Sequence, residues 1–266
     1  MSAIRVGVVE YLNARPLVHG LDARPDLFSL QYDVPARCSA LLHEGAVDLA
    51  LLPAIEYLRR PDYRVVPDVA VASTGPVASV ALFTTRPTAA IRSIAIDSSS
   101  RTAVALLRVL CAEWFEIEPK FVTMQPDLQA MLKRCDAALL IGDIALFTEH
   151  ETVVDLDKID LGEEWAAMTG LPFVWAFWAG RSDVVEAEHV QALRAARDAG
   201  AAAVDDVVAA HSLADEEQAE VAREYLRTNV QFALTAEGRS GVKRFYAAAA
   251  DIGIVQQAGA LRFFDA

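Results

Sequence analysis

Residues 91–110 read IRSIAIDSSSRTAVALLRVL. An apolar, β-branched run ends at Asp97. Three serines, an arginine and a threonine follow, and an apolar helical pattern begins at Thr102. One hydroxyl is enough to cap a helix, so Ser98, Ser99, Ser100 and Thr102 exceed what a cap requires. In a parallel α/β unit, the carboxyl end of a strand and the amino end of the next helix face the ligand crevice. The free N–H groups and partial positive charge of that helix end favour an anion. Hydroxyls add donors there, and Arg101 adds a forked one. The plainer reading is one capping serine, solvated neighbours and a surface arginine. The segment by itself leaves both readings open.

Toward the N-terminus the same strand-to-helix pattern occurs in IRVGVVEYLNARPL (residues 4–17). Strand-like and helix-like segments alternate through residue 180, which predicts an α/β protein. FSLQYDV, VDLALLP, YRVVPDVAVAST and VASVALFTT read as strands of a first unit. IRSIAIDSS opens a second, with KFVTM, AALLIG and TVVDLD as its further strands. The chain after Ser182 reads as wholly helical. Pro87 interrupts TTRPTAAIR between two strand-like runs, and WAGRSD breaks the pattern again. These breaks predict a first lobe of residues 1–86 and 181–266, including the helical tail, with residues 87–180 inserted as a second lobe. Two crossovers would make a hinged cleft, a favoured site for a small ligand.

Composition narrows the function. The 266-residue chain carries 37 acidic and 24 basic side chains, a net charge of −13. A general nucleic-acid or anionic-membrane binder needs a basic face, so neither partner is expected; a locally positive pocket for a small anion is compatible. The first residues, MSAIRVGVVEYLNARPL, show no basic stretch leading into an apolar core. Apolar runs such as DAALLIGDIALF are too short to span a bilayer, and a cytoplasmic protein is expected. Cys38, Cys111 and Cys135 lack metal or redox spacing and read as reduced core thiols. No glycine-rich phosphate loop, G-x-S-x-G or H-E-x-x-H motif is present. The five histidines are scattered, and none is chosen as a base.

Other junctions carry candidate contacts. In EYLNARPL, Asn13 either caps a helix or offers its amide to a ligand, and Arg15 either binds or faces solvent. Ser73, Thr74 and Ser79 bracket the turn at Gly75-Pro76. At Gly142-Asp143 a strand runs into a helix, and Asp143 either caps it or meets a ligand hydroxyl. Phe173, Trp175, Phe177 and Trp178 either wall a cleft or pack in the core.

Taken in order, YLNARPL, VDLALLPAIEY, GPVASVALF, IAIDSSSRTAVALLRVL, ALLIGDIAL and DLGEEWAAMTGLPFVWAFWA resemble the chorismate dehydratase family over nearly the whole chain. The resemblance implies a two-lobed fold of the type II periplasmic-binding-protein kind. It also implies conversion of chorismate to 3-[(1-carboxyvinyl)oxy]benzoate and water in the futalosine route to menaquinone. Neither a metal nor a cofactor is expected. Residues Ser98–Thr102 are then expected to anchor a carboxylate, with Ser98, Ser99, Arg101 and Thr102 touching it. Asn13, in the family's LNxRPL motif, is expected nearest the chemistry. A neutral amide is a poor base, so its expected role is to orient substrate or stabilise developing charge, with a substrate carboxylate accepting the proton. Tyr11, Arg15, Ser73, Ser79, Gly142, Asp143 and Phe173 are expected around the substrate. The rival readings are 1,4-dihydroxy-6-naphthoate synthase of the same pathway and a non-catalytic carboxylate-binding protein.

Overall fold

Apolar runs bounded by turns become strands covered on both faces. The computed structural model describes residues 3–60, 62–97, 99–149 and 155–265. Its first strands and helix are β1 (Ile4–Val9), β2 (Phe28–Asp33), α1 (Pro35–His43), β3 (Leu49–Pro53), β4 (Tyr63–Ser73) and β5 (Val80–Thr84). Then come β6 (Ser93–Asp97), α2 (Thr102–Glu113), β7 (Lys120–Met124), α3 (Leu128–Leu132), β8 (Ala137–Ile141), α4 (Gly142–Leu146) and β9 (Asp157–Asp160). The chain continues through α5 (Leu161–Thr169), β10 (Phe173–Arg181), α6 (Ala187–Ala202), α7 (Val204–Ala209), α8 (Glu216–Glu224) and α9 (Ala236–Asp251). In β3, β5 and β8, all inner strands of their sheets, every residue is buried.

Two five-stranded sheets form, ordered β2-β1-β3-β10-β4 and β7-β6-β8-β5-β9. In the first, β1 runs parallel to β2 and β3, while β10 is antiparallel to β3 and β4. The second repeats the plan: β6 is parallel to β7 and β8, and β5 is antiparallel to β8 and β9. The lobe boundaries differ from the sequence expectation. Val80–Thr84 pairs with β8 and β9, and Phe173–Arg181 lies between β3 and β4. The crossovers therefore run through residues 74–79 and 161–172, not near residues 86 and 181. Pro87 only precedes a single 3-10 turn, Thr88–Ala90, inside the second lobe. A strand's own residues state that it is buried, not which sheet it joins, which is why the boundaries shift. The TVVDLD segment lies partly outside the described residues; β9 begins at its last residue, Asp157.

The helical tail returns to the first lobe. α6 packs on a 3-10 segment, Leu12–Val18, and a side chain at Gly200 would collide with the Pro16 carbonyl. The tail is not wholly helical. Beyond α9 the chain runs beside β4, with the Val65 N–H donating to the Arg262 carbonyl and the Phe264 N–H to that of Val65. The main core spans both lobes. Cys38, Cys111 and Cys135 are buried free thiols. Among the described residues, no helix is long and apolar enough to cross a membrane.

Candidate active site

β6 delivers the serine-rich junction. Asp97 organises it: the Ser99 N–H donates to Asp97 Oδ1 at 2.9 Å, the Ser99 hydroxyl donates to Oδ2, and the Ser100 N–H reaches the Asp97 carbonyl at 3.2 Å. The Ser99 hydroxyl is thus committed inside the turn. Thr102 Oγ1 accepts from the Ile55 N–H of the first lobe at 3.3 Å. None of these side chains caps α2. The buried Ser100 Oγ has no protein partner. The space between the lobes is faced by the uncapped first turn of a twelve-residue helix, the partnerless Ser100 hydroxyl, the Thr102 hydroxyl and the exposed Arg101. The N–H groups of such a turn need acceptors, and an anion supplies them. Ser98 lies outside the described residues.

The opposite wall follows β1. Pro16 inside Leu12–Val18 has no N–H to extend an α-helical ladder, and the segment winds as a 3-10 helix. It presents Tyr11 and Asn13. The Tyr11 ring lies against Gly142, where a Cβ would come within 2.8 Å of the ring and the backbone φ is +65°. Glycine meets both demands. Burial pushes the Tyr11 hydroxyl up to about 12, opposed by Ser99 facing it from the second lobe. Behind Asn13 sits Tyr225, in a π-helical turn, Tyr225–Asn229. Tyr225 is fully buried, its hydroxyl is 2.7 Å from Ser79 Oγ, and the Asn13 amide faces the same hydroxyl. Burial holds Tyr225 well above the ordinary tyrosine range, hence neutral.

Tyr11, Asn13, Ser100, Arg101, Thr102, Gly142 and Trp175 line the resulting cleft, with Pro35, Pro53 and aliphatic residues between them. Among its described lining residues there is no aspartate, glutamate, histidine or lysine. A larger, more open groove on the outer side of α2, past Arg59 and Arg108, shares Ser100 and Arg101. The inter-lobe cleft is the better candidate, because it is apolar-walled with a few convergent polar groups.

The other expected contacts stand away from this lining. The Arg15 guanidinium lies over the Tyr32 ring, 5.0 Å from its centroid. Ser73 Oγ accepts from the Trp175 indole N–H at 3.2 Å. Ser79 sits two hydrogen bonds behind Asn13, through the Tyr225 hydroxyl. Asp143 turns its carboxylate to the Leu12 N–H and to His211, each at 3.0 Å. Phe173 belongs to the core, with its ring centroid 5.0 Å from that of Phe245 and 5.2 Å from that of Trp165. The register of β10 against β4 shifts between Val174 and Ala176. Trp175, two residues on, packs its ring on that of Phe173 with centroids 4.4 Å apart and also lines the cleft. Tyr225 and His211 went unseen as site residues; both lie in the tail, remote in sequence from the groups they touch. Among the described residues, no group of three metal-ligating side chains occurs.

Comparison with known proteins agrees with this architecture. An Archaeoglobus fulgidus protein of known crystal structure superimposes with a TM-score of 0.77 at 18% identity, over 95% of this chain and 98% of that one. A Candida albicans gene product, described as exhibiting the generic periplasmic binding protein fold, gives 0.67 at 15% identity over 97% and 92%. The periplasmic aliphatic sulphonate binding protein of Escherichia coli gives 0.62 at 16% identity over 100% and 92%. These likenesses establish the two-lobed periplasmic-binding-protein-like fold. In sequence, the chain is 32% identical to the chorismate dehydratase of Thermus thermophilus over 256 residues, 90% of this chain and 93% of that protein. Residues 4–251 match the family model described as menaquinone biosynthesis. The chain belongs to the menaquinone biosynthesis family, as a relative of that chorismate dehydratase.

Proposed function

We propose that this chain is a chorismate dehydratase, a cofactor-independent hydro-lyase that converts chorismate to 3-[(1-carboxyvinyl)oxy]benzoate and water. The observation that carries the reading is a cleft with an uncapped helix end and a free Ser100 hydroxyl on one wall, Asn13 on the other, and no ordinary base among its described lining residues. Chorismate suits it. The substrate brings two carboxylates, and loss of its C3 proton and C4 hydroxyl makes the ring aromatic, so much of the driving force is its own.

The ring carboxylate sits at the first turn of α2, beside Ser100 and Arg101. When the C3 proton leaves, charge moves through the diene onto that carboxylate, and the fixed N–H groups stabilise it as it develops. Asn13 orients the reacting end, backed by neutral Tyr225. The enolpyruvyl carboxylate takes the C3 proton and passes it to the departing C4 hydroxyl, which leaves as water. The same reading places the step in the futalosine route to menaquinone, in the cytoplasm. The net charge of −13 supports a small-molecule partner over nucleic acid or an anionic membrane.

The test is incubation of the purified protein with chorismate and no added cofactor, followed by liquid chromatography with mass detection. A product lighter by one water, with an aromatic spectrum and absent for Asn13→Ala, is expected. Unchanged chorismate with folded protein would overturn the assignment and bring forward the naphthoate synthase and the plain carboxylate binder.

A further inference from the structure

Asp143 is the second residue of α4 in the second lobe, directly after Gly142, and its carboxylate does not cap its own helix. Both oxygens are engaged by the other lobe. Oδ1 accepts from the Leu12 N–H at 3.0 Å, and Oδ2 lies 3.0 Å from His211 Nε2. Leu12 is the residue between Tyr11 and Asn13. His211 follows α7 in the tail, with its side chain 11% exposed. The adjoining Gly142 carries the Tyr11 ring, so bond and ring contact form one seam across the cleft.

We propose that Asp143 is a latch that holds the lobes closed and sets the position of Asn13 through the Leu12 N–H, with His211 as its clasp. This rests on the cleft being the substrate site, and it makes Asp143 a positioning residue with no contact to substrate. One carboxylate fixes the backbone that carries the amide and the tail helices that cover it. Opening the cleft breaks a hydrogen bond to a charged group at each oxygen. Such bonds are the stronger kind, and losing them shifts the closed-to-open balance by about tenfold or more.

Small-angle X-ray scattering without substrate, on wild type, Asp143→Ala and His211→Ala, reads the latch. Both variants should have a larger radius of gyration than wild type. With chorismate, kcat/KM should fall about tenfold or more for Asp143→Ala and less for His211→Ala. The double variant should be no worse than Asp143→Ala, because His211 acts through Asp143. Asp143→Asn should recover most of the loss: its amide oxygen accepts from the Leu12 N–H and its amide N–H reaches the His211 ring nitrogen. Variants as compact as wild type with unchanged kcat/KM would overturn the latch, as would fully additive losses in the double variant. Should Asp143→Ala fail to fold, His211→Ala and Asp143→Asn carry the same comparison. The scattering arm needs no substrate, so it decides the latch even if the wild type leaves chorismate unchanged.

Discussion

β1 and β6 hold the same place in their sheets, each flanked by two parallel neighbours and each ending at the cleft. Their continuations differ. After β6 the chain makes an Asp97-centred turn and a twelve-residue α-helix without proline, so a dipolar helix end points at the ligand space. After β1, Pro16 prevents an α-helical ladder, and a 3-10 segment offers an aromatic ring and an amide in its place. Topology thus fixes where each junction stands, and local sequence decides whether it supplies charge complementarity or shape. A dianion that must be gripped at one end and transformed at the other fits this division.

The division can be tested from either side. Asn13→Ala should have the largest effect, a loss of kcat of about 10²–10³-fold with a smaller change in KM, since it removes a group that acts as charge develops. Equal losses in kcat and affinity from both walls would dissolve the contrast. Next is the tyrosine between the walls. Burial pushes the Tyr11 hydroxyl up to about 12, from 10.0 ordinarily. Its share of stability is therefore whole below pH 10 and disappears as pH rises towards 12. That share is on the order of 2 kcal/mol. Denaturant titrations across that window should show a shallower decline for Tyr11→Phe.

Ser100→Ala should act on the anion wall alone. KM should rise about tenfold with kcat changed little, consistent with one hydrogen bond to a charged ligand. A kcat effect larger than the KM effect would move Ser100 to the reacting end. The smallest effect is expected from Tyr225→Phe, which removes the bond to Ser79. Stability should fall by about 1 kcal/mol, and kcat should fall a few-fold. In an Asn13→Ala background the kcat penalty should vanish, which a thermal melt alone cannot reveal.

Much of this was legible in the sequence because it is local. The two α/β units, the surplus hydroxyls before α2 and the amide in LNARPL are each stated by neighbouring residues. The surplus resolves unevenly, though: the Ser99 hydroxyl donates to Asp97, Thr102 accepts from Ile55 and keeps its O–H, and Ser100 has no protein partner. Non-local features were out of reach. The run at Val80–Thr84 is as apolar as β4, and nothing in it names β8 and β9 as partners. Phe173 and Trp175 look alike in FVWAFWAG and their rings touch, with centroids 4.4 Å apart, yet only Trp175 lines the cleft. His211 reaches Asp143 from 68 residues away and Tyr225 reaches Ser79 from 146, distances at which spacing carries no signal.

The position of β10 also dictates an order of synthesis. All five strands of the second sheet lie within residues 80–160 and are available as soon as that stretch leaves the ribosome. The first sheet must wait, because β4 has no partner from its own sheet until residues 173–181 slide in beside it. The inserted lobe is thus the earlier one to mature, although the other lobe begins first, and contacts of long sequence separation close last. Nascent chains halted before residue 173 should protect the amides of β5 through β9 from exchange while those of β4 stay open; protection of β4 in such chains would contradict this order.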